Sequence, residues 1–299
     1  MSAIRETKGD KVFNIVNLFF IILALILVIY PLYFIMICSF SDPTAVASGE
    51  VWLLPKGVTL DAYKTLFKND DIIMGYGNTI FYTVFGTLFN MTLTLTAAYA
   101  LSKKHFFGRN FLMFLVAFTM YFGGGMITTY LVVRSLGLLN TRWVIILLSG
   151  CNSYNLIVAR TFFSNGVPPE LEEAATIDGA SYFQCFWKIV LPLSKAMIGV
   201  LTLYYAVAHW NSYMNALIYL PSARDKMPLA QILREILILN TMKAAGGASG
   251  NDEMALYYAN LANLLKYALI IVSSAPLLAV YPFLQKYFEK GVMLGSIKG

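Results

Sequence analysis

Residues 13–40 read Phe-Asn-Ile-Val-Asn-Leu-Phe-Phe-Ile-Ile-Leu-Ala-Leu-Ile-Leu-Val-Ile-Tyr-Pro-Leu-Tyr-Phe-Ile-Met-Ile-Cys-Ser-Phe, with no charged residue among them. About 20 mostly apolar residues in helical form cross the hydrocarbon core of a bilayer. This stretch therefore fixes the class: a chain that begins with a membrane-spanning helix. It is too long for the apolar region of a signal peptide, and no small-residue cleavage site follows it. Cys38 stands behind the bulky Met36 and Ile37, so it does not read as a lipid-attachment site.

The same scan finds five more spans: Ile72–Leu101, Asn110–Val133, Trp143–Phe163, Ala196–Leu220 and Tyr267–Leu284. The expected fold is all-α, a multi-pass membrane protein of six transmembrane helices. Composition agrees. Of 299 residues, 58% are hydrophobic and 13% are charged, where soluble domains carry about 25% charged residues. So little charge cannot cover a water-facing surface. A soluble enzyme, a disordered chain and a nucleic-acid binder are excluded, despite a net charge of +6. The three cysteines, Cys38, Cys151 and Cys185, are too far apart for a disulfide framework or a metal cluster.

Short loops give the direction. Arg5, Lys8 and Lys11 precede the first span, and Lys103, Lys104, His105 and Arg109 follow the second without an acid. Lys286, Lys290 and Lys298 follow the sixth. All lie on one side of a six-span chain, so both termini are expected in the cytoplasm. Two outer segments are long. Residues 41–71 are rich in turns, and 221–258 contain an expected interfacial helix with Leu229, Ile232, Leu233 and Ile236 on one side.

No Asp or Glu falls inside any span. Proton- and sodium-coupled carriers keep such groups in the membrane, so a secondary transporter is the disfavoured rival. Neither H-E-x-x-H, G-x-S-x-G nor a phosphate-binding P-loop occurs. A membrane-embedded enzyme acting on lipid or glycan is therefore the second disfavoured rival. No catalytic residue, metal ligand or cofactor site is expected in this chain.

Between spans four and five runs Pro168-Pro169-Glu170-Leu171-Glu172-Glu173-Ala174-Ala175-Thr176-Ile177-Asp178-Gly179-Ala180-Ser181-Tyr182-Phe183-Gln184-Cys185-Phe186-Trp187-Lys188-Ile189-Val190-Leu191-Pro192. It predicts a short helix, a bend and a second short helix. Proline suits a helix start, acids in the first turn suit its positive end, and Gly179 permits a sharp bend. Phe183, Phe186 and Trp187 are large apolar groups that need a cover. A partner protein or the chain's own bundle would serve.

Within this loop, Glu173-Ala174-Ala175, Gly179, Ile189 and Leu191-Pro192 stand at the spacing of a known motif. They resemble the EAA motif of ABC-importer membrane subunits. Phe122-Gly123-Gly124-Gly125-Met126, His209-Trp210-Asn211-Ser212-Tyr213 and Lys290-Gly291-Val292-Met293-Leu294-Gly295 extend the likeness. They resemble the second permease of maltose-type sugar importers, in the branch for complex oligosaccharides, over nearly the whole chain. The resemblance implies a type I importer transmembrane fold in a bacterial cell membrane. It implies one transmembrane domain over 1–299, with a permease core at 72–284, a coupling loop at 164–195 and a cytoplasmic tail at 285–299. The implied partners are a homologous permease, two ATPase subunits that hold the ATP and Mg, an extracytoplasmic solute-binding protein, a sugar and membrane lipid. By the same resemblance, Glu173, Ala174, Ala175, Asp178 and Gly179 form the ATPase contact and bend. Ile189, Leu191 and Pro192 anchor the loop to span five, and the tail reaches the ATPase interface.

Span five carries a second pattern. On a continuous helix Tyr204, Tyr205, His209, Asn211, Ser212 and Asn215 share one polar arc. Polar groups in a membrane face protein or water. Hydroxyls and amides beside aromatic rings suit a sugar. Hydrogen bonding between helices explains the arc equally well. Asn152 and Asn155 interrupt span four and mark a kink at the pathway or plain packing. Gly123–Gly125 reads as a hinge or a close helix contact.

Overall fold

A computed structural model describes residues 7–246, 260–261, 264–280 and 282, and side chains from 239 to 246 are not described. Every element among the described residues is helical. They are α1 (Lys8–Ser39), α2 (Pro43–Ala47), α3 (Asp61–Phe67), α4 (Asp70–Ser102), α5 (Arg109–Tyr121), α6 (Gly125–Ser135), α7 (Arg142–Leu148), α8 (Ser153–Gly166) and α9 (Pro169–Ile177). There follow α10 (Tyr182–Leu193), α11 (Lys195–Trp210), α12 (Met214–Tyr219), α13 (Leu229–Gly246) and α14 (Leu264–Val280). The expected tail at 285–299 lies outside the described residues.

The chain forms two compact units, one from 1–69 with 235–274 and one from 70–234 with 275–299. In the first, α1 is long and apolar enough to cross a membrane, and its most apolar stretch has no buried residue. A helix that is apolar on all sides and uncovered belongs in lipid. It starts at a capping box, in which the Asp10 N–H donates to Thr7 Oγ1 at 3.2 Å and the Thr7 N–H donates to Asp10 Oδ2 at 2.8 Å. Its C-terminal end packs Ile37 and Cys38 against Val51, and Phe34 meets Tyr267 edge-on at 6.3 Å.

The second unit is organised on α4, which packs against α8 and α11. Its 33 residues extend about 50 Å. Asn78, Tyr82, Gly86, Asn90, Thr94 and Ala98 recur every fourth residue and are all buried. That spacing winds one small and polar stripe slowly along the helix. At one end the stripe holds the segment before α13. Asn78 Nδ2 donates to the carbonyls of Asp225 and Met227 at 2.9 and 3.0 Å, and the Tyr82 hydroxyl donates to that of Lys226 at 2.7 Å. Arg142 in turn donates to Asn78 Oδ1 at 3.0 Å.

Three expected spans are broken. Span three turns by 114° between α5 and α6. Phe122-Gly123-Gly124 separates the helices, and no neighbour lies within 4 Å of a Cβ built at Gly123 or Gly125. Of the two readings, the glycines make the hinge and not the close contact, because a Gly run gives up helical order most readily. Span four bends by 50° between α7 and α8. Asn152 caps α8, its Oδ1 accepting from the Asn155 N–H at 3.1 Å, and such a side chain competes with continued helix. Span five ends at Trp210. Asn211 Nδ2 donates to the Val207 carbonyl at 3.0 Å, and the chain restarts at Met214. The expected helix after Pro228 is present, and the apolar side read for it turns inward at its start. Leu229, Ile232 and Leu233 are buried, and a Cβ at Gly75 of α4 would meet Ile232 at 2.7 Å.

Candidate functional site: the loop between α8 and α11 and the seam beneath it

The predicted helix–bend–helix is present. Pro168 and Pro169 open α9, whose first turn carries Glu170 and Glu172. Asp178 ends it, and Gly179 turns the chain with φ +80°. Side-chain-bearing residues rarely adopt that value. Ser181 then starts α10 through a capping box with Gln184. The Gln184 N–H donates to Ser181 Oγ at 3.3 Å, and the Ser181 N–H donates to Gln184 Oε1 at 2.9 Å.

Within α10 the turn Phe186–Val190 widens, and the Leu191 N–H bonds the Phe186 carbonyl. Pro192 follows, lacks an N–H and cannot continue a regular ladder. Ser194 closes the helix, its hydroxyl donating to the Val190 carbonyl at 2.7 Å. The chain then turns by 84° into α11. The second short helix thus runs nearly square to span five.

The loop divides into an anchored side and a bare side. Ala175, Cys185, Phe186 and Val190 are buried with Tyr99, Phe163 and Leu201, while Ile189 and Leu191 pack partly against the same cluster. Tyr99 and Phe186 ring centres are 4.9 Å apart. Of the three aromatics, the chain's own bundle covers Phe186 alone. One expectation changes: Ala175, expected in the contact, faces inward and is buried. Glu173, Ala174, Asp178 and Gly179 face outward. With them stand Ile177 at 86% exposure, Phe183 at 69% and Trp187 at 54%. A hollow of about 290 Å³ between the two short helices is lined by Asp178, Gly179, Ala180, Gln184, Cys185, Lys188 and Ile189.

Sequence reading missed Lys103. It leaves the end of α4, forms an ion pair with Glu172 and places its ammonium 4.1 Å from the Tyr99 ring centre. This pins α9 to α4. The signal was an unpaired basic cluster in one loop and an acid-rich helix start in another.

Halfway along α4 lies a polar seam. The Thr94 and Tyr205 hydroxyls are 2.7 Å apart, and the Asn152 N–H donates to the Tyr205 oxygen at 3.3 Å. His209 Nε2 lies 3.1 Å from Asn90 Oδ1, and Asn90 Nδ2 donates to the Ser149 carbonyl. Asn90 Oδ1 can only accept, so His209 Nε2 carries the hydrogen. The seam therefore satisfies backbone groups released where α7 breaks into α8, which membrane depth requires. Gly86 leaves room for the imidazole: a Cβ there would fall 2.4 Å from it.

Of the expected arc, Tyr205 and His209 are buried in this seam, and Asn152 joins them. Asn155 is buried on α8, while Tyr204 and Asn211 are exposed and Ser212 and Asn215 half-buried. Ser212 and Asn215 lie past the break, so the helical angle that grouped them does not hold. Asn90, Thr94 and Gly86 were missed, although the fourfold spacing on α4 announces them.

Residues 72–294 match the family described as binding-protein-dependent transport system inner membrane component. The chain is 42% identical to Protein LplC of Bacillus subtilis, covering 99% of this chain and 98% of the relative. It is 41% identical to the polygalacturonan/rhamnogalacturonan transport system permease protein YtcP of the same organism, covering 97% and 99%. A crystal structure of a bacterial ABC transporter involved in the import of the acidic polysaccharide alginate superposes with a TM-score of 0.84 at 34% identity, covering 96% of this chain and 100% of that one. The chain belongs to the binding-protein-dependent inner membrane component family, and its fold is that of an ABC type I importer permease.

Proposed function

We propose that this chain is one of two permease subunits of an ATP-driven importer, and that it passes an oligosaccharide across the cell membrane. The observation that carries the reading is the bare side of the α9–α10 loop. Ile177, Phe183 and Trp187 are uncovered on a scaffold fixed to α4 and α11. Exposed apolar groups on a rigid mount suit a protein partner. That partner is the ATPase, which binds and hydrolyses ATP with Mg, while this chain is not an enzyme. Glu173, Ala174, Asp178 and Gly179 make the contact and bend. Ala175, Ile189, Leu191 and Pro192 transmit its movement to α11.

Six spans with both termini in the cytoplasm fit this reading. Two helices are long enough to cross, the bent pairs α5–α6 and α7–α8 supply two more, α11 with α12 stands at the fifth, and α14 covers the described part of a sixth. A solute-binding protein delivers the substrate from outside, and the tail at 285–299 joins the ATPase interface. Tyr204, Asn211, Ser212, Asn215 and the broken-helix residue Asn152 border the pathway. Tyr205, His209 and Asn155 hold its wall.

Relatives named for polygalacturonan and for the acidic polysaccharide alginate make acidic oligosaccharides the first class to test. The experiment is uptake by a deletion strain carrying the complete importer, offered oligogalacturonate, alginate oligosaccharide and maltodextrin. Uptake of an acidic oligosaccharide that stops when ATP is depleted supports the reading. Uptake driven by a proton or sodium gradient without ATP overturns it.

A further inference from the structure

Beyond Lys103, the turn between α4 and α5 has been given no contact with a partner. It holds Lys103, Lys104, His105, Phe106, Phe107 and Gly108, and Arg109 opens α5. The chain contains no Asp or Glu from Ile72 to Pro169. Glu172, the acid that approaches the turn, is paired with Lys103. Lys104 and Arg109 instead line a hollow of about 400 Å³ with Phe106, Gly108, Asn110 and Phe111. Arg109 Nε is buried there with no hydrogen-bond partner among the described residues. A buried guanidinium nitrogen without an acceptor is costly. An anion in the hollow would offset the guanidinium charge that lines it.

The surroundings identify the anion. Phe107 is 98% exposed and Phe111 65%. The turn joins two membrane-inserted helices, so it sits at headgroup depth. Cations beside bare phenyl rings at that depth match a molecule with a phosphate at one end and acyl chains at the other. We propose that the α4–α5 turn binds an anionic phospholipid. Lys104 and Arg109 hold the phosphate, and Phe107 and Phe111 lie against the acyl chains. Because Lys103 in the same turn grips Glu172 of α9, bound lipid also steadies the loop that meets the ATPase. The assignment to the cytoplasmic leaflet rests on the proposed importer function, and lipid retention itself does not.

The test uses the assembled importer, wild type and Lys104→Ala/Arg109→Ala. Each is purified with phosphatidylglycerol or phosphatidylcholine, and retained lipid is counted by native mass spectrometry. A basic residue near an anionic surface contributes about fivefold in affinity, so the pair predicts at least tenfold weaker phosphatidylglycerol retention in the variant. Phosphatidylcholine retention should not change, and added inorganic phosphate should not displace the lipid. In nanodiscs, phosphatidylglycerol should raise substrate-stimulated ATP hydrolysis of the wild type several-fold and that of the variant far less. Equal retention by both proteins overturns the proposal, as does displacement by inorganic phosphate. Weaker ATPase association of the variant in pure phosphatidylcholine also overturns it, since the surface then belongs to the protein partner. If the double variant fails to assemble, the exposed Lys104→Ala alone decides, through the same retention count.

Discussion

The two ends of α11 solve opposite problems. Toward its C-terminal end, Tyr205 and His209 meet Thr94 and Asn90, and the polar groups named there find partners within the subunit. At its other end, α10 arrives at 84° with Phe186 packed inside and Phe183 and Trp187 bare. The first region is complete as it stands. The second is a rigid mount with an unfinished face. Polar residues in a membrane span are therefore no guide to a binding site when neighbouring backbone needs them. Apolar residues on a loop do point to a partner when the loop is already fixed.

The largest expected effect comes from the bend. Gly179→Pro cannot adopt φ +80°, and misfitting such a position costs on the order of 1–3 kcal/mol. Substrate-stimulated uptake by the assembled importer should fall at least tenfold, while membrane insertion stays normal. Glu173→Lys on the same outward face should lower coupling less, by severalfold.

In the seam, Gly86→Ala sets a methyl group 2.4 Å from the His209 ring. Forcing atoms into a filled interior costs about 1–3 kcal/mol. Thermal unfolding of the solubilised protein should show a clear drop, and Gly86→Ala with His209→Ala should recover part of it. Asn90→Ala leaves the Ser149 carbonyl and His209 unpartnered and should cost about 1 kcal/mol. If Asn90→Ala instead left stability unchanged but altered which sugar is taken up, the seam would be a substrate site and the contrast would fail.

A smaller effect joins the two regions. Lys103→Ala removes the partner of Glu172, whose side chain is 22% exposed. A partly buried pair of this kind is worth about 1 kcal/mol. Coupled hydrolysis should drop by a few-fold, and the exchanged pair Lys103→Glu with Glu172→Lys should restore much of it.

The sequence disclosed the loop better than the spans. Pro168 and Gly179 state a helix start and a bend in local chemistry, and both act as read; Ser181, which caps the second helix, went unread. Hydropathy found the apolar stretches, and Asn152 and Asn155 marked the bend in span four; the break at Asn211 went unread, because one such residue is few among many apolar ones. Which aromatic faced inward was not legible either. Phe183, Phe186 and Trp187 are alike in chemistry, and only the widened turn before Pro192 and the position of Tyr99 bury Phe186. The arc on span five failed past Trp210, since angular reasoning presumes an unbroken helix.

The central claim is that the bare face of α9–α10 is covered by an ATPase. Ile177 is the test point. In a background with Cys151→Ser, which removes the exposed native thiol and leaves Cys38 and Cys185 buried, Ile177→Cys is treated with a water-soluble maleimide before and after ATPase subunits are added. The account predicts fast labelling of the subunit alone and strong protection in the assembly. Equal labelling rates in the two states, with the ATPase bound, would contradict it.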